Sequence, residues 1–385
     1  MEQVTKDVFF ELIRLEMNGT TLKDGDKNLI TAEMLPVLFK VSKKHDLAHL
    51  VGNALDKNGL LPDDSQAKTH FLKERNMAIF RYEQMQYEID EICRVLDDAK
   101  ISYIPLKGSI IRKFYPEPWM RTSCDIDVLV KEENLENAIE TLKTNLGYSC
   151  DRIGGHDAQM FSQIGVHLEL HYKLNSNSPL VDSVLSRVWS NVKSSENPCK
   201  EMTEEMFYFY HIAHMAGHFK IGGCGVRSFL DLFLLRKNLI CDNGKLRALL
   251  KNGGLESFYD AVCAVSDCWF GEGQKTPLVA EIEDYILNAG MYGDMKNRVA
   301  IQQKEKGGSA RYLLSRIFMP YSQLKFVYPK LQKCPILFPF YQVKRWFRLL
   351  KKDSRHKSVS ELKETISGDD ENKKRVTKLL KDLEL

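Results

Sequence analysis

The sequence lacks the features that mark a disulfide scaffold or a membrane-spanning protein. Its nine cysteines are scattered, and none forms a Cys-x-x-Cys pair; such a set is typical of buried or free thiols in a reducing compartment. No apolar run approaches the roughly 18 residues that a spanning helix needs. Residues 1–19 lack the basic-then-apolar order of a signal peptide. We therefore expect a cytoplasmic protein with no transmembrane segment.

A large excess of one charge is also lacking. The 55 Lys and Arg residues against 52 Asp and Glu residues leave a formal net charge of +3, which is too small to imply nucleic-acid binding by itself. The chain contains no internal repeat and no low-complexity tract. At 385 residues it is long enough for two or three domains with full cores.

The periodicity of apolar residues predicts four regions. Residues 1–100 form a helical region, with helices expected over 5–18, 31–55 and 67–99. Residues 101–200 form an α/β core, with strands at 101–106, 125–130, 148–153, 159–163 and 166–174 and a helix at 132–146 that ends at Gly147. Residues 201–350 form a C-terminal helical domain, with a loop at 302–308 and a helix at 309–319. Residues 351–385 form a charged tail or a small terminal helix. The fold class is α+β.

Two aspartates lie in one of these apolar runs. Side chains alternate along a strand, so Asp125 and Asp127 point to the same face, about 7 Å apart. Such carboxylates repel each other unless a cation lies between them, and Mg²⁺ usually takes one or two carboxylates plus substrate phosphates. The alternative is a solvated aspartate pair at a strand edge.

A Gly-Ser pair precedes the aspartates at the start of a predicted short helix. Gly108 and Ser109 offer backbone N–H groups and a hydroxyl, which suit a phosphate. Together with Asp125 and Asp127 they indicate metal-dependent handling of a nucleoside triphosphate.

A third carboxylate lies on the predicted strand at 166–174. Its apolar residues alternate with His167, Glu169 and His171. If the apolar face packs on helices, these three side chains project to the same open side as the aspartates. Three carboxylates can hold two Mg²⁺ ions, one on the triphosphate and one that activates the attacking hydroxyl. The alternative for Glu169 is a surface position on an amphipathic strand.

These motifs resemble the nucleotidyltransferase superfamily that includes DNA polymerase β. Within it, LKG…YP…R…DIDVLV, HLELH and HIAH…R…D resemble a bacterial group of uncharacterised nucleotidyltransferases, and so does PILFPFYQVKR near the C-terminus. The resemblance covers roughly residues 70–350. One departure from the commonest superfamily pattern is the longer spacing between Ser109 and Asp125, where FYPEPWMRT is inserted.

The resemblance implies a nucleotidyltransferase that uses Mg²⁺ or Mn²⁺ to move a nucleoside monophosphate from an NTP such as ATP to an acceptor hydroxyl, with release of pyrophosphate. It implies that Asp125 and Asp127 bind both metal ions, and that Glu169 completes the site and helps to deprotonate the hydroxyl. Gly108 and Ser109 would hold the triphosphate. The acceptor is left open among a small molecule, a sugar, a protein and RNA.

Several charged residues near these motifs have two interpretations each. Arg121 could reach the triphosphate with its bidentate fork, or it could form a salt bridge within the loop. Lys107 is a weaker candidate for the same phosphates. Arg227 and Asp231, at i and i+4, are predicted to form a local ion pair.

The predicted helix after residue 203 carries three histidines on one face. His211, His214 and His218 could bind zinc together with Cys224, but we favour a position lining the cleft between the core and the C-terminal helical domain. Residues 325–352 hold eight Lys and Arg residues, interleaved with aromatics. They predict a solvated amphipathic helix, or else a surface for an anionic acceptor such as RNA or for a membrane.

Two other functions fit the same motifs. One is a degenerate nucleotidyltransferase fold that binds a nucleotide or a partner without catalysis. The intact set of Asp125, Asp127 and Glu169 argues against it, because a site that only binds has no need of three uncompensated carboxylates. The other is a toxin-like enzyme that modifies transfer RNA or a protein.

Overall fold

A five-stranded mixed sheet forms the centre of the fold, as the α+β prediction requires. The computed structural model describes residues 2–176, 178–291, 293–328, 330–349 and 370–385. The strands are β1 (Tyr103–Pro105), β2 (Asp125–Val130), β3 (Ser149–Ile153), β4 (Asp157–Phe161) and β5 (His167–His171), in the order β1-β2-β5-β4-β3. Strands β2 and β5 are parallel, and the other neighbours are antiparallel.

Helices precede and follow the sheet. Those before it and within it are α1 (Gln3–Asn18), α2 (Asp24–Lys27), α3 (Met34–Lys44), α4 (Ala48–Lys57), α5 (Gln66–Asp98), α6 (Gly108–Ile111) and α7 (Leu135–Leu146). Those after it are α8 (Pro179–Leu185), α9 (Glu204–Lys220), α10 (Val226–Asn238), α11 (Asn243–Gly253), α12 (Glu256–Phe270), α13 (Pro277–Ala289), α14 (Met295–Glu305), α15 (Ser309–Ile317), α16 (Tyr321–Val327), α17 (Lys330–Lys333), α18 (Phe338–Leu349) and α19 (Asp370–Asp382).

One helix prediction and one loop prediction were wrong in their boundaries. The expected helix at 31–55 is divided into α3 and α4, because the chain turns at Asp46, whose φ of +57° is left-handed and does not continue a helix. The expected loop at 302–308 is helical as far as Glu305, and it turns at Gly307 and Gly308, which both have positive φ.

One face of the sheet is packed and the other is open at the site end. Ile126 and Val128 of β2, with Leu168 and Leu170 of β5, pack in a hydrophobic cluster with side chains of α5 and α7. Because side chains alternate, the residues between them face the opposite side. Helices before and after the sheet share one larger hydrophobic cluster. The division of the chain into four regions stays a prediction.

The basic and aromatic stretch does not form one long helix. Within 325–349 the chain runs through the end of α16, α17, a 3₁₀ turn (Pro335–Leu337) and α18, around a small cluster of Leu324, Leu331 and Tyr341. Residues 350–352 of this stretch lie outside the described residues. In the part of the chain that the structure describes, no helix is long and apolar enough to cross a membrane.

The end of the chain contributes to the core. Residues 351–369 of the predicted charged tail lie outside the described residues, but α19 packs against α14. Apolar side chains of this helix, and Leu383 directly after it, join the larger hydrophobic cluster: Val376, Leu379, Leu380 and Leu383. The last part of the chain is therefore the small terminal helix of the two options.

This packing predicts that truncating Leu379 destabilises the whole protein. Leu379 is 1% exposed, so Leu379→Ala should lower the free energy of unfolding by about 2–4 kcal/mol, through lost burial and the cavity left behind. Urea unfolding followed by circular dichroism measures it. The control is Lys378→Ala on the exposed face of the same helix, which should change stability by less than about 0.5 kcal/mol. Equal effects of the two substitutions would contradict the packing.

Candidate functional site

The parallel pairing of β2 with β5 brings three carboxylates together. Asp125 lies opposite His167, and Asp127 lies opposite Glu169. Asp127 is 4% exposed, whereas Asp125 and Glu169 are half-buried. Residues more than forty positions apart in the chain therefore share one site, as the alternation of the two strands predicted.

Two overlapping groups of side chains have the spacing of metal ligands. One ligand atom each from Asp125, His167 and Glu169 lie within 4.8 Å of one another, and the same holds for Asp127, Glu169 and His171. Glu169 belongs to both groups. Carboxylate oxygens suit Mg²⁺ and Mn²⁺, and imidazole extends the range toward transition metals. The donor set therefore fits a divalent cation.

Two cationic side chains surround Asp127. Its Oδ1 atom accepts hydrogen bonds from Lys107 Nζ at 2.8 Å and from His171 Nε2 at 2.9 Å. Burial alone would raise the pKa of Asp127, but the charges of Lys107 and His171 hold it well below its usual range. Burial alone would lower the pKa of His171, but its bonds to Asp127 and Glu169 raise it to about 9. Asp127 is thus ionised and His171 is protonated at neutral pH.

Asp125 lies in a less favourable environment than Asp127. Burial and the nearby charge of Asp127 raise its pKa, and the charge of Lys107 offsets this only in part. The bond from His171 lowers the pKa of Glu169. Asp125 is therefore the carboxylate for which a further cation would relieve the most repulsion.

The chain passes close to Asp127 as it enters α6. The backbone N–H of Leu106 donates to the carbonyl of Asp127 at 3.0 Å, and Lys107 has a φ of +42°, which an L-residue rarely adopts. A Cβ atom at Gly108 would lie 2.6 Å from Arg121 Nη1, so a larger residue there would displace the Arg121 guanidinium. Gly108 lines the cavity that holds the carboxylates, but Ser109 does not.

The fork of Arg121 is engaged by a buried acid. Arg121 Nη2 lies 2.9 Å from Asp231 Oδ2, and Tyr115 Oη donates to Asp231 Oδ1 at 2.7 Å. Burial alone would raise the pKa of Asp231, but the charge of Arg121 lowers it. Of the two interpretations of Arg121, the geometry favours the salt bridge, although its partner lies on α10 rather than in the loop.

The predicted ion pair between Arg227 and Asp231 is absent from the described contacts. Arg227 Nη1 pairs instead with Asp46 Oδ2 at 2.7 Å and donates to the carbonyl of Thr122 at 2.9 Å. Asp231 prefers Arg121 because that guanidinium enters the same buried pocket with two nitrogens. Both arginines tie the loop after α6 to α10, and Arg227 also joins α10 to the turn between α3 and α4.

The carboxylates open into a cavity of about 300 Å³. His211, His214 and His218 line it, as the favoured interpretation predicted. Burial lowers the pKa of each of these histidines. Within the described residues they belong to neither group with metal-ligand spacing, and no such group contains Cys224.

One comparison with known proteins gives a match. Residues 34–271 match a family described as "Uncharacterised nucleotidyltransferase". The chain belongs to this family. The match includes the whole sheet, α6, α9 and α10, and hence every side chain of the two ligand groups. No curated protein and no solved structure matches the chain.

Some parts of this candidate site were not predicted from the sequence. Lys107 was considered only for phosphate, yet it pairs with Asp127. The contact of Asp46 with Arg227 joins residues 181 positions apart and has no local signal. By contrast, the His-x-Glu-x-His alternation already placed His171 beside Glu169, so its role could have been inferred.

The Arg121–Asp231 pair predicts a large loss of stability when the acid is removed. Asp231→Ala leaves the Arg121 charge buried without compensation, which should cost about 3–5 kcal/mol in the free energy of unfolding. Urea unfolding measures it. Asp267→Ala removes the partner of Arg236 in an exposed pair and should cost at most about 1 kcal/mol. A similarly small cost at Asp231 would show that the buried pair is not stabilising.

The position of His171 predicts a link between proton and metal binding. Without divalent metal, NMR titration of ¹⁵N-histidine-labelled protein should give a pKa near 9 for His171. Saturating Mg²⁺ should lower this pKa, because a cation on Asp127 and Glu169 repels the imidazolium and takes its acceptors. Mg²⁺ affinity should therefore rise with pH toward 9. His171→Gln assigns the resonance, and the exposed His70 serves as a control that should not respond. An unchanged pKa of His171 would contradict the metal site.

Proposed function

We propose that the protein transfers a nucleoside monophosphate from an NTP to an acceptor hydroxyl and releases pyrophosphate. The observation that carries this proposal is the meeting of Asp125, Asp127 and Glu169 at paired positions of β2 and β5, beside the start of α6. Membership of a nucleotidyltransferase family supports the same reaction class.

Each side chain has a proposed role. Asp125, Asp127 and Glu169 would hold Mg²⁺ or Mn²⁺, which when bound would neutralise phosphate charge and favour the ionised acceptor hydroxyl. Glu169 would take the proton of that hydroxyl, since its lowered pKa keeps the carboxylate ionised at neutral pH. Gly108 lets the backbone approach the triphosphate closely, and Ser109 is retained as a proposed phosphate contact because it follows Gly108 directly.

The cations near the site have different proposed roles. Lys107 holds Asp127 and would also face the triphosphate from its position in the cavity wall. Arg121 is engaged by Asp231, so we propose that it positions the loop before β2 rather than grips phosphate on its own. ATP is the proposed donor only as one member of the NTP class.

Calorimetry and label transfer test the proposal together. Titration with each of the four NTPs, with Mg²⁺ or Mn²⁺, should show metal-dependent binding of at least one. Incubation with that NTP labelled at the α-phosphate should label a molecule from a cell extract. If no NTP binds with either metal, the proposal fails. If an NTP binds but no label is transferred, the chain is a nucleotide-binding protein without catalysis.

Two aspartate variants make the test sharper, because their effects on stability should differ. The raised pKa of Asp125 means that its charge destabilises the folded state at neutral pH, so Asp125→Asn should leave the metal-free protein as stable or more stable. Asp127→Asn removes the partner of Lys107 and His171 and should destabilise it. Both should lower transfer at least about a hundredfold.

The matched control for these variants is Asp151→Asn on exposed β3. It removes the same charge from the same sheet and should change neither stability nor transfer. Thermal melting by circular dichroism reports stability, and the rate of label transfer reports activity. Full activity of Asp125→Asn would refute its role as a metal ligand.

A further inference from the structure

A second cavity, of about 690 Å³, also reaches Glu169. The two cavities share five lining residues, so they adjoin along Glu169 and one face of α9: Lys107, Glu169, Tyr210, His214 and His218. Its further walls come from β5, α9 and the helices α14 to α16. Gly108, Asp125 and Asp127 line the first cavity and not the second. A triphosphate bound beside Gly108 would leave the second cavity accessible to another molecule.

The lining of the second cavity is strongly cationic. Lys220, Lys306 and Arg316 line it together with Lys107, and Glu169 is the only acid among its described lining residues. In the described part of the chain, neither Lys220 nor Lys306 is in an ion pair, whereas Lys107 is paired with Asp127. Cations gathered around a concave surface attract and orient an anionic ligand.

The other side chains of the second cavity suit a ligand with hydroxyl groups, and the volume of the cavity suits a small molecule. Gln302, Gln323 and Ser315 contribute side chains that both donate and accept hydrogen bonds. The volume lies within the range of about 300–1,000 Å³ that is typical of small-molecule sites. A small polar molecule fits this wall better than a folded macromolecule or an apolar chain.

We propose that the second cavity binds the acceptor, and that the acceptor is a small hydroxyl-bearing molecule with a phosphate or carboxylate group. This inference rests on the proposed nucleotidyl transfer. The side chains of Lys306 and Arg316 would hold the anionic group of the acceptor, and the hydroxyl of the acceptor would point toward Glu169. The hydroxyl oxygen forms a bond to the α-phosphorus, and Glu169 takes the hydroxyl proton. The bond from that phosphorus to the bridging oxygen of pyrophosphate breaks, and pyrophosphate leaves with the electron pair.

Fractionation of the acceptor tests the chemical class. A cell extract is divided into a macromolecular retentate and a small-molecule filtrate, and the filtrate into anion-exchange-bound and unbound fractions. With α-labelled NTP, label should appear in product formed from the bound fraction. Label only with the retentate, or only with the unbound fraction, overturns the inference while leaving nucleotidyl transfer intact. No label from any fraction overturns the proposed function and the inference with it.

Charge variants test whether the acceptor binds in the second cavity. Lys306→Gln and Arg316→Gln should each lower acceptor-dependent labelling at subsaturating filtrate about tenfold, the loss expected for one charge-assisted hydrogen bond. Their affinity for NTP by calorimetry should stay within about twofold of the unmodified protein, and their melting should be unchanged. Lys330→Gln is the control, an exposed lysine on nearby α17 that lines neither cavity.

The same measurements can refute the second cavity as the acceptor site independently of the chemical class of the acceptor. Equal labelling by all three variants would show that the second cavity does not hold the acceptor. A fall in NTP affinity without an effect of filtrate concentration would assign this cavity to the triphosphate instead. A rise in the filtrate concentration needed for half-maximal labelling, with an unchanged maximal rate, is the expected signature of a binding role.

Discussion

The parallel register between β2 and β5 is the constraint on which the site depends. With Asp127 opposite Glu169, both strands turn their carboxylates to the open face and their apolar residues to α5 and α7. A shift of one residue in either strand would send its polar set into that hydrophobic cluster. The cost of burying unpaired carboxylates among leucine and valine therefore enforces the register. The same pattern that stabilises the sheet also assembles the site.

The register creates an electrostatic problem that the neighbouring residues solve unequally. Asp127 receives Lys107 and His171, and it is ionised in spite of its burial. Among the described residues, Asp125 receives no comparable side-chain cation within hydrogen-bond distance, and its pKa is raised. The charge of Asp127 is thus compensated by neighbouring cations, whereas the charge of Asp125 is not. A divalent cation would relieve this repulsion, but it would have to compete with His171 for the oxygens of Asp127 and Glu169.

The parts of this arrangement that could be predicted from sequence are those set by short-range alternation. The Asp-x-Asp and His-x-Glu-x-His patterns each fix which side chains share a face, and the sheet then brings the two faces together. The division at Asp46 could not be predicted in this way, because a helix-like pattern of apolar residues runs through it and the left-handed turn has no glycine. The partners of Arg121 and Arg227 could not be predicted either. The i, i+4 spacing indicated a pair of Arg227 with Asp231, whereas in the folded chain Asp231 pairs with Arg121 and Arg227 pairs with Asp46. Long-range ion pairs depend on the packing of α10 against the loop, and packing has no periodic signature.

Glu169 is the residue that this packing places at the junction of the two ligand groups and the two cavities. It belongs to both groups with metal-ligand spacing and lines both cavities. The first cavity is walled by neutral histidines and by arginines that are already paired with acids, so its free charge is concentrated on the carboxylates. The second cavity gathers cations around a single acid. A reaction that joins a metal-bound polyphosphate to an anionic acceptor must keep two negative molecules close together. Divalent cations held by the carboxylates would offset the charge of the polyphosphate, and the cationic wall of the second cavity would offset the charge of the acceptor.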